Sequence, residues 1–244
     1  MNPSAITYTC GFYRHRLPID DAVIVETLGA LDRLAMGFFP ATIEVGRKKT
    51  LVLERAKDYT RQLIPKKFFI TQSSATIPLD GRNGVSFTFT ESDDPSVMPG
   101  SLVLEFSSRA LEANGWLLDQ LASLMREVSL AFSPDFAATW DNAQRARPGY
   151  GHVMFRIDRR RVPLGVFWIN YYSVGWVESI GRSRLERLKE EVPLLRWLDD
   201  GAVLFATQSD AYDESNEEHR GTQARVEQIL GLADVHRRFP NPGA

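Results

Sequence analysis

The stretch Leu164 to Gly181, LGVFWINYYSVGWVESIG, restricts the fold more than any other. Its alternation puts Val166, Trp168, Asn170 and Tyr172 on one side of a strand and Phe167, Ile169 and Tyr171 on the other, and both sides are largely apolar. A strand of that kind needs cover on both faces, which predicts a central place in a sheet. At Ser173 the run passes into a turn holding Gly175 and Trp176. Asn170 is the odd member, because a buried amide must find hydrogen-bond partners, and its expected role is to tie the strand to the turn that follows.

The rest of the chain supplies strands and amphipathic helices in mixed order. Residues 5–13 alternate, with Ile6, Tyr8, Cys10 and Phe12 opposite Thr7, Thr9 and Tyr13, the pattern of a half-buried strand. Asp20 and Asp21 open a helix carrying Ile24, Leu28, Leu31 and Ala35, with Gly37 near its stop. From Phe38 to Lys67 the pattern is weaker, with a β-rich Thr50–Leu53 and a mixed-charge run that suits a short helix before Pro65. Strands are predicted at Phe68–Thr71, Val85–Thr90 and Leu102–Phe106, separated by Asp-Gly, Asn-Gly and Pro-Gly turns. A helix from about Asn114 to Leu130 carries the stripe Leu117, Leu121, Leu124, Met125 and Val128.

Ser133–Asp141 has no clear period. Arg145–Gly151 is a polar loop suited to a seam between halves, and Val153–Ile157 is expected to pair with Val166–Tyr172. Leu185, Leu188 and Val192 mark a short helix stopped by Pro193, and Ala202–Thr207 is a strand. The last helix opens at Ser215-Asn216-Glu217-Glu218, a capping-box spacing with Ser215 as the cap. The economical arrangement is an α+β fold: an antiparallel or mixed sheet with amphipathic helices packed on one face. The 244 residues suit a single domain, 1–244, and the pattern also admits two similar halves, 1–147 and 148–244.

No familiar reaction chemistry stands out. The histidines, His15, His152, His219 and His236, are scattered with no pair at metal spacing, and Walker, dinucleotide-fingerprint and nucleophile-elbow motifs are absent. Neither a metal nor a cofactor is expected. Cys10 is the single cysteine, which excludes an intramolecular disulfide and suits a buried filler. A net charge of −2 argues against a surface wholly shaped for nucleic acid. The N-terminus lacks a basic segment followed by an apolar core, and no stretch approaches about 18 uninterrupted apolar residues. The expectation is therefore a cytoplasmic protein without membrane contact.

Charge is unevenly spread. From Asp199 to Glu218 the chain carries Asp199, Asp200, Asp210, Asp213, Glu214, Glu217 and Glu218 and no lysine or arginine. Glu91, Asp93 and Asp94 form a second acidic spot, while Arg156, Arg159–Arg161, Arg182, Arg184, Arg187 and Lys189 form a basic stretch. Either sign suits a solvated face, and an acidic face also suits docking of a basic partner.

The strand and turn GVFWINYYSVGWVESIG, followed by DGAVLFATQSDAYDESNEEH, resembles the immunity protein 52 family of bacterial polymorphic toxin and type VI secretion systems. A related group of type VI secretion immunity proteins shares a similar Trp-bearing strand. The resemblance implies a protein that is not an enzyme and that binds and neutralises a cognate secreted toxin, with a restriction-endonuclease-like DNase as the implied partner. A nuclease presents a positive cleft to DNA, so the candidate toxin-binding residues are Asp199, Asp200, Asp210, Asp213, Glu214, Glu217 and Glu218. Tyr172, Trp176 and Tyr212 join them as aromatic anchors, with a core role for Trp176 equally open. Two alternatives stand beside this reading: a small-molecule pocket or enzyme site near the Trp168–Trp176 turn, and nucleic-acid binding through the arginine-rich segments.

Overall fold

The computed structural model describes residues 6–14, 21–34, 36, 38, 42–45, 49–52, 70–79, 83–90, 100–146 and 165–233. Its chain forms two compact units, Met1–Pro134 and Asp135–Ala244. The boundary falls ahead of the polar loop at 145–151, whose residues from 147 onward lie outside the described set.

In the first unit the strands are β1 (Thr7–Arg14), β2 (Thr42–Val45), β3 (Lys49–Val52), β4 (Ile70–Leu79), β5 (Asn83–Thr90) and β6 (Gly100–Ser107), and the helices are α1 (Asp21–Leu34), α2 (Ser108–Asn114) and α3 (Leu118–Phe132). The strands lie in the order β3-β2-β4-β5-β6-β1 and every pair is antiparallel. β1 runs beside β6 with Tyr8 opposite Phe106 and Cys10 opposite Leu104. The Tyr8 and Phe106 rings stack at 5.6 Å, and Phe38 and Trp116, themselves stacked at 4.8 Å, lie against Phe106. Thr9 and Tyr13, on the opposite face of β1, are buried too. The half-buried strand read from alternation is thus covered on both sides; threonine and tyrosine satisfy a polar pattern while tolerating burial.

The helix expected from Asn114 is two helices. Gly115 adopts a left-handed φ of 61° and its N–H returns to the Glu112 carbonyl, closing α2. Leu117 is 68% exposed rather than part of the apolar stripe, and its N–H donates to Gln120 Oε1 at 3.0 Å to start α3. Leu121, Leu124, Met125, Val128 and Phe132 are buried, and α3 packs on α1. The buried Arg14 Nη1 donates to the Phe132 carbonyl at 2.7 Å, placing a cation at the negative end of α3.

In the second unit the strands are β7 (Phe136–Asp141), β8 (Ile169–Tyr172), β9 (Leu194–Trp197) and β10 (Val203–Ala206), and the helices are α4 (Val174–Ile180), α5 (Arg182–Glu186) and α6 (Glu217–Leu230). The order is β7-β8-β10-β9, again antiparallel. Every residue of β7, β8 and β10 is buried. The central position expected for the aromatic run holds, although the strand begins at Ile169. Its described partners are β7 and β10; the expected partner Val153–Ile157 lies outside the described residues.

The Gly-Trp segment is a helix and not a turn: Ser173 stands at its N-cap, and Trp176, Val177 and Ile180 are its buried face. Leu185 and Leu188 are buried on α5 and the 3₁₀ turn that follows. Both units are α+β, as the sequence pattern predicts. No helix among the described residues is long and apolar enough to cross a membrane.

Candidate functional site

The acidic stretch is divided by a buried strand. Asp199 and Asp200 sit in the connection between β9 and β10, where Asp200 Oδ1 accepts the Ala202 N–H at 2.9 Å and Gly201 takes a φ of 86°. Asp210 to Glu218 follow the far end of β10. The buried strand between them spans roughly 10 Å, with one acidic spot following each of its ends.

The second spot is a built turn. Tyr212 is buried with its ring 5.5 Å from that of His219, and its hydroxyl donates to Glu214 Oε2 at 3.0 Å. Asp213 Oδ1 accepts the Ser215 N–H at 2.8 Å and the Ser215 hydroxyl at 2.7 Å. This engagement takes Ser215 away from the helix end, and the cap is Asn216, whose Oδ1 accepts from Glu218 N at 2.9 Å and His219 N at 3.4 Å. The expected Ser215 capping box is therefore corrected by one residue. Glu217 and Glu218 stand exposed in the first turn of α6, where the helix dipole favours negative charge.

Two buried side chains hold this turn, and both come from outside the group singled out by composition. Asp141, at the end of β7, accepts the Ala143 N–H on Oδ1 at 2.8 Å and the Glu214 N–H on Oδ2 at 2.9 Å. His219 Nδ1 accepts the Asp213 N–H at 3.0 Å. Gln144 accepts from the Asp141 N–H and donates to Gln223 of α6 at 3.1 Å, joining the 3₁₀ turn after β7 to that helix. In sequence Asp141 shows only as a charge closing an apolar run, and His219 only as one of four scattered histidines.

Burial pushes the Asp141 carboxyl above its usual 3.8; the N–H bonds from Ala143 and Glu214 oppose this, and the charges of Asp213 and Glu214 add to it. The folded state therefore binds a proton that the unfolded chain releases just above pH 3.8, and the stability contributed by this group falls as pH rises through that window. Asp141→Asn removes the ionisation. The stability of the variant relative to the parent, measured by urea denaturation, is expected to climb as pH rises above about 4 and then level. A difference that shrinks with rising pH would mean that folding favours the carboxylate.

Of the predicted aromatic anchors, none is on the surface. Tyr172, Trp176 and Tyr212 are all 1% exposed or less. Trp176 stacks on Phe136 at 4.8 Å and 13°, and Tyr172 meets Phe205 edge-on at 5.2 Å. They are core residues: Tyr172 lies in a fully buried strand, Trp176 is on the buried face of α4, and Tyr212 is buried against His219. Asn170, expected to reach forward to the turn, reaches back instead: its Oδ1 accepts the Phe167 N–H at 2.9 Å and its Nδ2 donates to the Phe167 carbonyl at 2.8 Å. Its hydrogen-bonding capacity closes the loop before β8 and is not offered to a ligand.

In the basic stretch, Arg182 stacks over Trp197 at 4.2 Å and pairs with Glu186, and Arg184 donates to the Leu230 carbonyl at 3.0 Å. Gly231 ends α6 at a φ of 63°, and a Cβ there would meet Arg184 Nη1 at 2.5 Å. These two arginines serve the packing of the unit. The remaining basic residues before 165, and the acidic spot at Glu91, Asp93 and Asp94, lie outside the described residues. No group of three or more metal-ligating side chains occurs among the described residues.

Comparison with known proteins gives a likeness of fold. No family model matches the chain, and no curated protein matches it by sequence. Among solved structures, the Pseudomonas aeruginosa T6SS protein PA0821 is similar, with a TM-score of 0.61 at 11% identity, covering 93% of this chain and 72% of that one. The fold is therefore one found in a protein of a type VI secretion system. The finer resemblance to immunity protein 52 has no family match behind it.

Proposed function

We propose that this protein neutralises a secreted toxin of a type VI or related secretion system by binding it stoichiometrically, with no reaction of its own. The observation that carries the reading is the similarity of nearly the whole chain to the Pseudomonas aeruginosa T6SS protein. The acidic turn supports it from the chemical side. Asp210, Glu217 and Glu218 project from a segment fixed by Asn216, His219 and Asp141, a rigid negative surface suited to a basic partner such as the cleft of a nuclease effector. In this reading Asp213 and Glu214, only half exposed, shape the turn more than they meet the partner.

Co-expression with a candidate secreted effector, sought among the neighbouring genes, tests the proposal. Cells carrying the effector are expected to survive only when this chain is present, and the two proteins to elute as one complex. Survival without a complex would reject stoichiometric inhibition. Within the complex, reversing Asp210, Glu217 and Glu218 together to lysine is expected to slow association by about tenfold or more at low salt, with the difference shrinking as salt is raised. An unchanged association rate would place the interface elsewhere.

A further inference from the structure

Adjacent backbone N–H groups in the acidic turn are held by different kinds of acceptor. The Glu214 N–H is held by the carboxylate of Asp141, and the Asp213 N–H by the ring nitrogen of His219. Because Nδ1 accepts, the proton of the neutral ring sits on Nε2, which faces Asp210 Oδ2 at 3.6 Å. A second proton would turn Nδ1 from acceptor to donor, setting it against the Asp213 N–H, and would give the ring a charge to pair with Asp210. We propose that His219 is a proton-sensitive latch: neutral, it holds the Asp213 end of the acidic turn, and protonated, it releases that end while drawing on Asp210.

Around the ring the arrangement suits such a release. His219 itself is 6% exposed, whereas the Asp210 side chain is 71% exposed and free to adjust. Among the described residues the other groups near it are the Tyr212 ring, the Asp213 carboxylate held by Ser215, and Gln208, whose amide donates to the His219 carbonyl at 3.4 Å. On α6 itself Glu217 and Glu218 precede it and Arg220 follows, its guanidinium 3.7 Å from Glu217. From β7, Asp141 keeps its grip on Glu214, and from the 3₁₀ turn Gln144 bonds to Gln223. Release at Asp213 therefore pivots the turn about Glu214 without melting the unit. This holds whatever the turn binds.

Nuclear magnetic resonance on the full chain tests it. In the neutral ring, His219 Nδ1 is expected to show the nitrogen shift of an unprotonated acceptor and Nε2 that of a protonated donor. As pH is lowered, exchange of the Asp213 amide, corrected for its intrinsic rate, is expected to quicken by about tenfold or more in step with protonation of the His219 ring. The amides of Glu214 and β10 keep their protection. In His219→Phe the Asp213 amide should exchange fast at every pH. A proton on Nδ1 at high pH, protection of Asp213 that ignores the ring's titration, or loss of protection in step with β10 would overturn the latch. So would a folded His219→Phe protein with Asp213 still protected.

Discussion

Trp176→Ala should lower the stability of the 135–244 unit by about 3–5 kcal/mol, the cost of removing a large buried aromatic and leaving its space unfilled. Trp176 is 1% exposed, stacks on Phe136 at 4.8 Å and meets the tilted ring of Tyr172 at 5.6 Å, so deletion strips contacts from both of its neighbours. Trp176→Phe keeps an aromatic face against Phe136 and should lose distinctly less. Guanidinium denaturation of both variants measures the difference. If the alanine variant lost under about 1 kcal/mol but weakened association with a partner, Trp176 would return to the surface role that its sequence context first suggested.

Asn170→Leu is the second large effect. The side chain is fully buried and gives Phe167 both an acceptor for its N–H and a donor for its carbonyl. Leucine matches the size but makes neither bond; the Phe167 carbonyl keeps the Thr207 hydroxyl at 3.3 Å, so the expected cost is the loss at the Phe167 N–H, about 1–3 kcal/mol. Asn170→Asp separates the two bonds, since it retains the acceptor, lacks the donor and adds a buried charge. It should therefore be no more stable than the leucine variant. Thermal and denaturant unfolding that left either variant within about 0.5 kcal/mol of the parent would show that the loop before β8 finds other partners.

What the sequence made legible follows from where apolar residues meet a single interface. α1 and the apolar stripe of α3 show because Ile24, Leu28 and Leu31, and Leu121, Leu124 and Val128, face a core while their neighbours face water. β7 does not show, because Phe136, Ala137, Ala138, Thr139 and Trp140 are all buried and burial on both faces erases the period. β9 does not show because four residues after a proline, Leu194 to Trp197, carry too little pattern to be told from a loop. The acidic turn was visible as composition. Its restraint was not, since Asp141 reaches Glu214 across 73 positions of sequence, and local spacing says nothing about a contact that folding alone creates.

The fastening of α6 has a consequence for recognition. Asn216 secures its first turn, Gln144 and the Glu227 carboxylate, which accepts the Val166 N–H at 3.0 Å, hold its length, and Arg184 grips the carbonyl of its last residue, Leu230. A molecule docking at the first turn of this helix meets backbone that is already ordered and loses little conformational entropy in settling there. Preorganisation of this kind acts chiefly on the lifetime of a complex, whereas the carboxylates at the same end govern how quickly it forms.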